Sequence, residues 1–134
     1  VTVKYKLADS QQDFQQCYDL MDTEKVERED LELKFPCVMA FDEDEVLIGF
    51  LGTHFNEDMV VGGPLLMRDR NPQMLTVYNL CELYEMSMRH MGIKSYIMSV
   101  EDGNFMDQAI KRYNPPNLEQ YAREGNLTFY IRRL

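Results

Sequence analysis

His54, Glu57 and Asp58 are the groups best placed to move a proton near neutral pH. They lie at the end of one apolar run and just ahead of another, Met59–Met67, which itself carries no carboxylate. His54 falls in the alternation of its run, so it reads either as a half-buried, hydrogen-bonded histidine or as a base acting directly or through water. A second stretch suits anions. Arg68-Asp69-Arg70-Asn71-Pro72-Gln73-Met74 joins the end of an apolar run to the start of a long amphipathic one. A helix that begins there offers free backbone N–H groups and a positive dipole end, with Asn71 as cap and Pro72 in the first turn. Other chemistries find no support in the spacing. No Cys-His, Ser-His-Asp or paired-carboxylate arrangement stands out, and Asp102-Gly103-Asn104 lacks the later ligands of a calcium loop. The two histidines, His54 and His90, lack zinc-ligand spacing, and His90 reads as a dipole-stabilising residue near a helix end.

Composition narrows the setting. The three cysteines, Cys17, Cys37 and Cys81, form no CxxC pair and imply buried thiols in a reducing, cytoplasmic compartment. No run approaches the roughly 18 apolar residues of a membrane span, and the start has no signal-peptide pattern, so no membrane association is expected. A net charge of −9 argues against nucleic acid as a partner. Acidic residues gather in 24–32 and 42–45. They read as solvated turns or as a rim that attracts a cationic amine.

The elements that must position these residues follow from periodicity. Val1–Leu7 alternates as a strand. Ser10 and Asp13 resemble a capping box ahead of a helix from Gln11 to Lys25, and 26–34 reads as a loop or short helix. Cys37–Phe41, Val46–Phe55 and Met59–Met67 form a strand meander, with Gly62, Gly63 and Pro64 predicting a bulge or splay in the last. Met74, Val77, Cys81, Tyr84, Met88 and Met91 mark the buried face of a long helix stopped by Gly92. Strand Ile93–Val100, short helix Phe105–Tyr113 and a hairpin of Leu118–Arg123 with Leu127–Leu134 complete the chain. The order βα(α)βββαβαββ predicts one layered α/β domain over residues 1–134, with a mixed, mostly antiparallel sheet flanked by helices.

This order, with its local wording, resembles the GNAT superfamily of N-acetyltransferases over nearly the whole chain. Val46-Leu47-Ile48-Gly49-Phe50, Arg89-His90-Met91-Gly92-Ile93-Lys94 with Tyr96–Val100, the pair Ala109 and Tyr113, and the closing Leu127–Leu134 each resemble a family segment in the family's order. The resemblance implies acetyl-CoA lying in a wedge between Met59–Met67 and Ser95–Val100. Its pyrophosphate would sit at the long helix start, among Leu66, Met67, Arg68, Arg70, Asn71, Gln73, Met74 and Asn104. It further implies an oxyanion donor on the backbone near Leu66 or Met67 and Tyr113 as the acid that protonates the leaving thiolate. The base would come from His54 or Glu57.

The chain departs from the family at its phosphate loop. With Arg70 at the family's Q/R position, Gln73 and Leu75 replace small residues, Pro72 removes an N–H, and Asp69 adds negative charge. Arg68 and Arg70 could compensate as direct phosphate ligands. Three readings therefore stay open. The first is an N-acetyltransferase acting on a small-molecule or peptide amine. The second is a catalytically silent GNAT-like structural or interaction protein with a protein partner, similar to acetyltransferase-like domains of bacteriophages. The third is a GNAT fold that takes another acyl carrier or small ligand in the same wedge. A homodimer is compatible with each.

Overall fold

The computed structural model describes residues 2–27, 30–70 and 73–134, the Arg70 side chain excepted. The expected helix cap at Asn71 and Pro72 lies outside the described residues.

The observed order is β1 (Lys4–Leu7), α1 (Gln11–Thr23), β2 (Lys34–Phe41), β3 (Leu47–Asn56), β4 (Met59–Met67), a 3-10 turn (Arg68–Arg70), α2 (Met74–His90), β5 (Ser95–Glu101), α3 (Phe105–Tyr113), β6 (Leu118–Glu124) and β7 (Leu127–Arg133). Helix α1 starts where the sequence places it. The Ser10 hydroxyl accepts the Asp13 amide at 3.2 Å, and the Asp13 carboxylate reaches back to the Asp9 amide at 3.0 Å. The described residues between α1 and β2 form turns and extended chain, with no second helix. The buried stripe of α2 is shorter than expected. Val77, Leu80, Tyr84 and Met88 are buried, whereas Met74 is 48% and Met91 55% exposed. Periodicity marks a helical face but not how much sheet lies beneath it.

The seven strands form one sheet in the order β1-β2-β3-β4-β5-β7-β6. Every pairing is antiparallel except β4 with β5, which α2 connects as a crossover. Alternation divides the strands between two cores. Cys37, Met39 and Phe50 pack with Cys17, Leu20 and Met21 of α1 on one face. Val38, Ala40 and Leu51 pack with Val77, Leu80, Tyr84 and Met88 of α2 on the other, where Phe105 of α3 also packs.

Two features of β4 shape the centre. Between the pairs Leu51↔Leu65 and Thr53↔Gly62, β4 spends one residue more than β3, which puts a bulge at Gly63-Pro64. Gly63 has φ 151°, a conformation that side-chain-bearing residues rarely adopt. Beyond the bulge, β4 and β5 part. Their ladder has one register pair, Val61↔Ile97, so the strands splay toward their C-terminal ends.

Candidate functional site

The splay opens a cavity of about 470 Å³ whose lining residues come from both faces of the sheet. Its waist is Gly62–Leu65 of β4 and Ser99 and Val100 of β5. On the α2–α3 face its walls include Tyr78, Cys81, Met98, Asn104 and Phe105, and on the α1 face Met21, Val26 and Leu31. The long side chains that could plug it are elsewhere. Met67 is buried against Gly49 in the α2 core, and Leu75 is 73% exposed. Past Val61, β4 and β5 share no further register pair among the described residues, so the backbone groups of the waist are released from the ladder, the Gly63 carbonyl being taken by His54. Pro64 contributes no N–H.

His54 lines this cavity. Its neighbour Thr53 bonds Tyr84 of α2, so alternation turns His54 to the α1 face, beside its cross-strand partner Val61. The His54 Nδ1 lies 2.8 Å from the carbonyl oxygen of Gly63, in the bulge. A carbonyl only accepts, so Nδ1 carries the proton and the neutral ring keeps its lone pair on Nε2. The bulge thus fixes both the tautomer and the orientation of the histidine.

The other expected site residues are dispersed. Glu57 sits exposed in the β3–β4 turn with φ 56° and is not in the cavity wall. Tyr113 does not reach the cavity. It is 70% exposed at the end of α3, with the Arg112 guanidinium 5.5 Å over its ring, so its placement gives no support to a role as acid. Arg68 turns away from the start of α2. Its Nε donates to the Leu47 carbonyl at 2.8 Å, and its side chain lines a separate hollow with Asp19, Thr23 and Glu45. The left-handed backbone at Asp69, φ 61°, accompanies this turn. Asn104 does line the cavity, but its Oδ1 is committed to capping α3 through the Asp107 amide at 2.9 Å. Leu66 and Met67 have buried side chains and can contribute only backbone. Gln73 precedes α2 without a side-chain cap bond, and the first turn of that helix carries no acidic residue. The helix end therefore keeps its positive character. Met74 is half exposed beside it. The Arg70 side chain and Asn71 lie outside the described residues.

Sequence reasoning missed a buried ion pair in the cavity wall. Glu85 of α2 accepts from Arg132 of β7 through Nε at 2.8 Å and Nη2 at 3.0 Å, and from the Tyr96 hydroxyl at 2.7 Å. Burial pushes the Glu85 carboxyl up, but the Arg132 and Tyr96 hydrogen bonds and the neighbouring positive charges outweigh it, holding the group below its ordinary value. Burial first, then the Glu85 charge, pushes the Tyr96 phenol up and makes it a poor proton donor. Burial and the nearby Glu85 and Glu82 charges raise the Cys81 thiol to about 12, which leaves it inert at neutral pH. The only sequence hint of the pair is a carboxylate four residues beyond Cys81 on an otherwise apolar helix face.

No family model matches this chain, and no curated protein matches it. Solved structures do. The chain superposes on a PaiA N-acetyltransferase from Thermoplasma acidophilum in complex with coenzyme A, with TM-score 0.70, 13% identity and 100% of both chains covered. It superposes equally on a chain of the NatC complex bound to Gag peptide and CoA, at TM-score 0.70 and 16% identity over 100% of this chain and 99% of that one. A GNAT-family acetyltransferase from Staphylococcus aureus follows at TM-score 0.69 and 12% identity, covering 98% and 99%. The fold is thus the GNAT-like α/β fold, shared at low sequence identity with an acetyltransferase of the GNAT family and with two structures that hold coenzyme A.

Proposed function

We propose that this chain is a GNAT N-acetyltransferase that moves an acetyl group from acetyl-CoA to a primary amine. The observation that carries this reading is the open wedge. β4 and β5 share one register pair, and the cavity between them is lined from both faces of the sheet, with a histidine of fixed tautomer in its wall. A ligand that enters beside α2 and α3 can therefore meet one that enters beside α1.

The chain fits acetyl-CoA at its acyl end. The β4 and β5 backbone released from the ladder can bond amides of an extended arm, and the α2 start, where Gln73 makes no side-chain cap bond, can take negative charge. Acetyl-CoA supplies a thioester. Nε2 of His54 removes the proton that the amine must lose, directly or through water. A β4 N–H at Leu65, Leu66 or Met67 that points into the wedge stabilises the oxyanion. The new N–C bond replaces the C–S bond, and the thiolate leaves and takes up a proton. With Tyr113 outside the cavity and Tyr96 committed to Glu85, that proton comes from solvent or returns from His54.

The test is acetylation by mass, with His54→Gln as the variant. Transfer to a primary amine that falls about 100-fold in kcat, at unchanged acetyl-CoA affinity, is the expected result for loss of a general base. Equal rates in the two proteins would remove His54 from the mechanism.

One observation favours a second reading, a silent interaction protein. Away from the cavity wall, α2 exposes Leu75 and Met86 at 73% and 59%. Absence of acetyl-CoA binding would promote that reading over the first.

A further inference from the structure

On the reading just proposed, we infer that the acceptor is a primary amine carried on an apolar body and not a polycation. The α1 side of the wedge is where an acceptor must approach His54, and its chemistry is largely apolar. Met21 projects from the last turns of α1, Val26 and Leu31 from the chain that follows, and Val61 from β4 directly across from His54. Met21 is fully buried and Val61 is 8% exposed, while Val26 and Leu31 are half buried and pack on the same core as Met21. Val26 and Leu31 therefore supply the apolar surface on which an arm is removed from water, backed by Met21 and Val61.

Among the described residues that line this side, a polycation finds no matching set of charges. Glu27 is the one carboxylate among the described cavity residues on this side, and it is exposed. Glu82 lies on α2, on the far face. Glu85 is already neutralised by Arg132. The acidic β2–β3 turn does not reach the cavity, because Asp42 folds back on the Asp44 and Val46 amides at 2.9 and 3.0 Å. A polyamine would leave most of its ammonium groups without partners and lose their hydration against methionine and leucine. An amine with a single charge loses that charge to His54 on reacting and keeps only its apolar arm to bind. Two sources offer this chemistry: a free aryl or alkyl amine, and the N-terminus of a peptide whose first side chain is apolar.

The experiment compares kcat/KM at saturating acetyl-CoA for 2-phenylethylamine, a peptide beginning with leucine, one beginning with aspartate, and spermidine. Acetyl-CoA affinity is measured separately by calorimetry. We expect at least one of the first two to exceed both of the others by about tenfold or more, the scale on which a hydrophobic site discriminates. Which of the two leads identifies the source. We expect Leu31→Asn to reduce that preference several-fold while acetyl-CoA affinity stays within about twofold, with Val26→Asn as a second, independent variant should the first fail to fold. Preference for spermidine, or acetyl-CoA binding with no turnover of either apolar amine, overturns the inference and leaves the wedge assignment standing. Absence of acetyl-CoA binding instead overturns the functional reading on which the inference rests.

Discussion

His54 derives its candidacy from one contact, the bond from its Nδ1 to the Gly63 carbonyl. An ordinary core histidine would be equally content there, but this one stands in the wall of a cavity with its Nε2 lone pair unspent on that bond. Tyr113 is the contrasting case. Its spacing from Ala109 matches a family pattern, yet its ring lies in solvent beside Arg112. Tyr113→Phe is therefore expected to leave kcat within about twofold, because a phenol outside the cavity cannot supply the 100-fold typical of an acid catalyst. A steady-state assay settles this, and a large loss would mean that α3 moves inward on binding. His54 was legible as a candidate because it is a titratable residue within the alternation of an apolar strand, just ahead of Met59–Met67. Arg68 was not legible as a structural residue, because nothing in its neighbours announces that its guanidinium will turn back to the Leu47 carbonyl.

Among the elements, β4 is the one on which the site depends. Its glycines and proline foretold a bulge, and the sheet shows why both glycines are needed. Gly63 takes a backbone conformation closed to other residues, and Gly62 lies under the Tyr96 ring, where an added Cβ would stand 2.5 Å from two ring carbons. That ring cannot retreat easily. It stacks edge-on against Tyr84 at 5.4 Å and its hydroxyl is held by Glu85. Gly62→Ala is expected to cost about 1–3 kcal/mol by overpacking, read as a lower denaturant midpoint. The order of strands and helices was readable because periods of two and of 3.6 separate them cleanly. The Glu85–Arg132 pair was not, since its partners lie 47 residues apart and meet only once β7 inserts beside β5. Removing one partner, as in Arg132→Met, leaves the Glu85 carboxylate with the Tyr96 hydroxyl and the Arg89 guanidinium 3.7 Å away, and is expected to cost about 1–3 kcal/mol. The pH dependence has a definite sign. With its carboxyl below the ordinary 4.5 in the folded chain, Glu85 contributes stability that is full above that value and lost as pH falls through the folded one. In Arg132→Met burial acts with less opposition and the carboxyl rises toward or past the ordinary 4.5, so the loss of stability on acidification should be smaller than in the parent and the gap between the two proteins should narrow as pH falls. Urea midpoints across about pH 3 to 7 would show this, and parallel profiles would deny the coupling.

For the molecule as a whole, the sheet separates two half-cores, one under α1 and one under α2, and its strands are least connected at the wedge between β4 and β5. A ligand that fills the wedge bridges β4 to β5 and should stabilise both halves together by mass action. A net charge of −9 opposes an anionic ligand at long range, so binding should tighten modestly as salt screens that field. The most direct test of the wedge as a coenzyme site is calorimetric titration of the intact chain with acetyl-CoA and with CoA. The account predicts one site of micromolar affinity for each, with the thermal midpoint rising as ligand is added. No heat and no thermal shift at millimolar ligand would contradict it, and the GNAT fold here would then be a scaffold for some other contact.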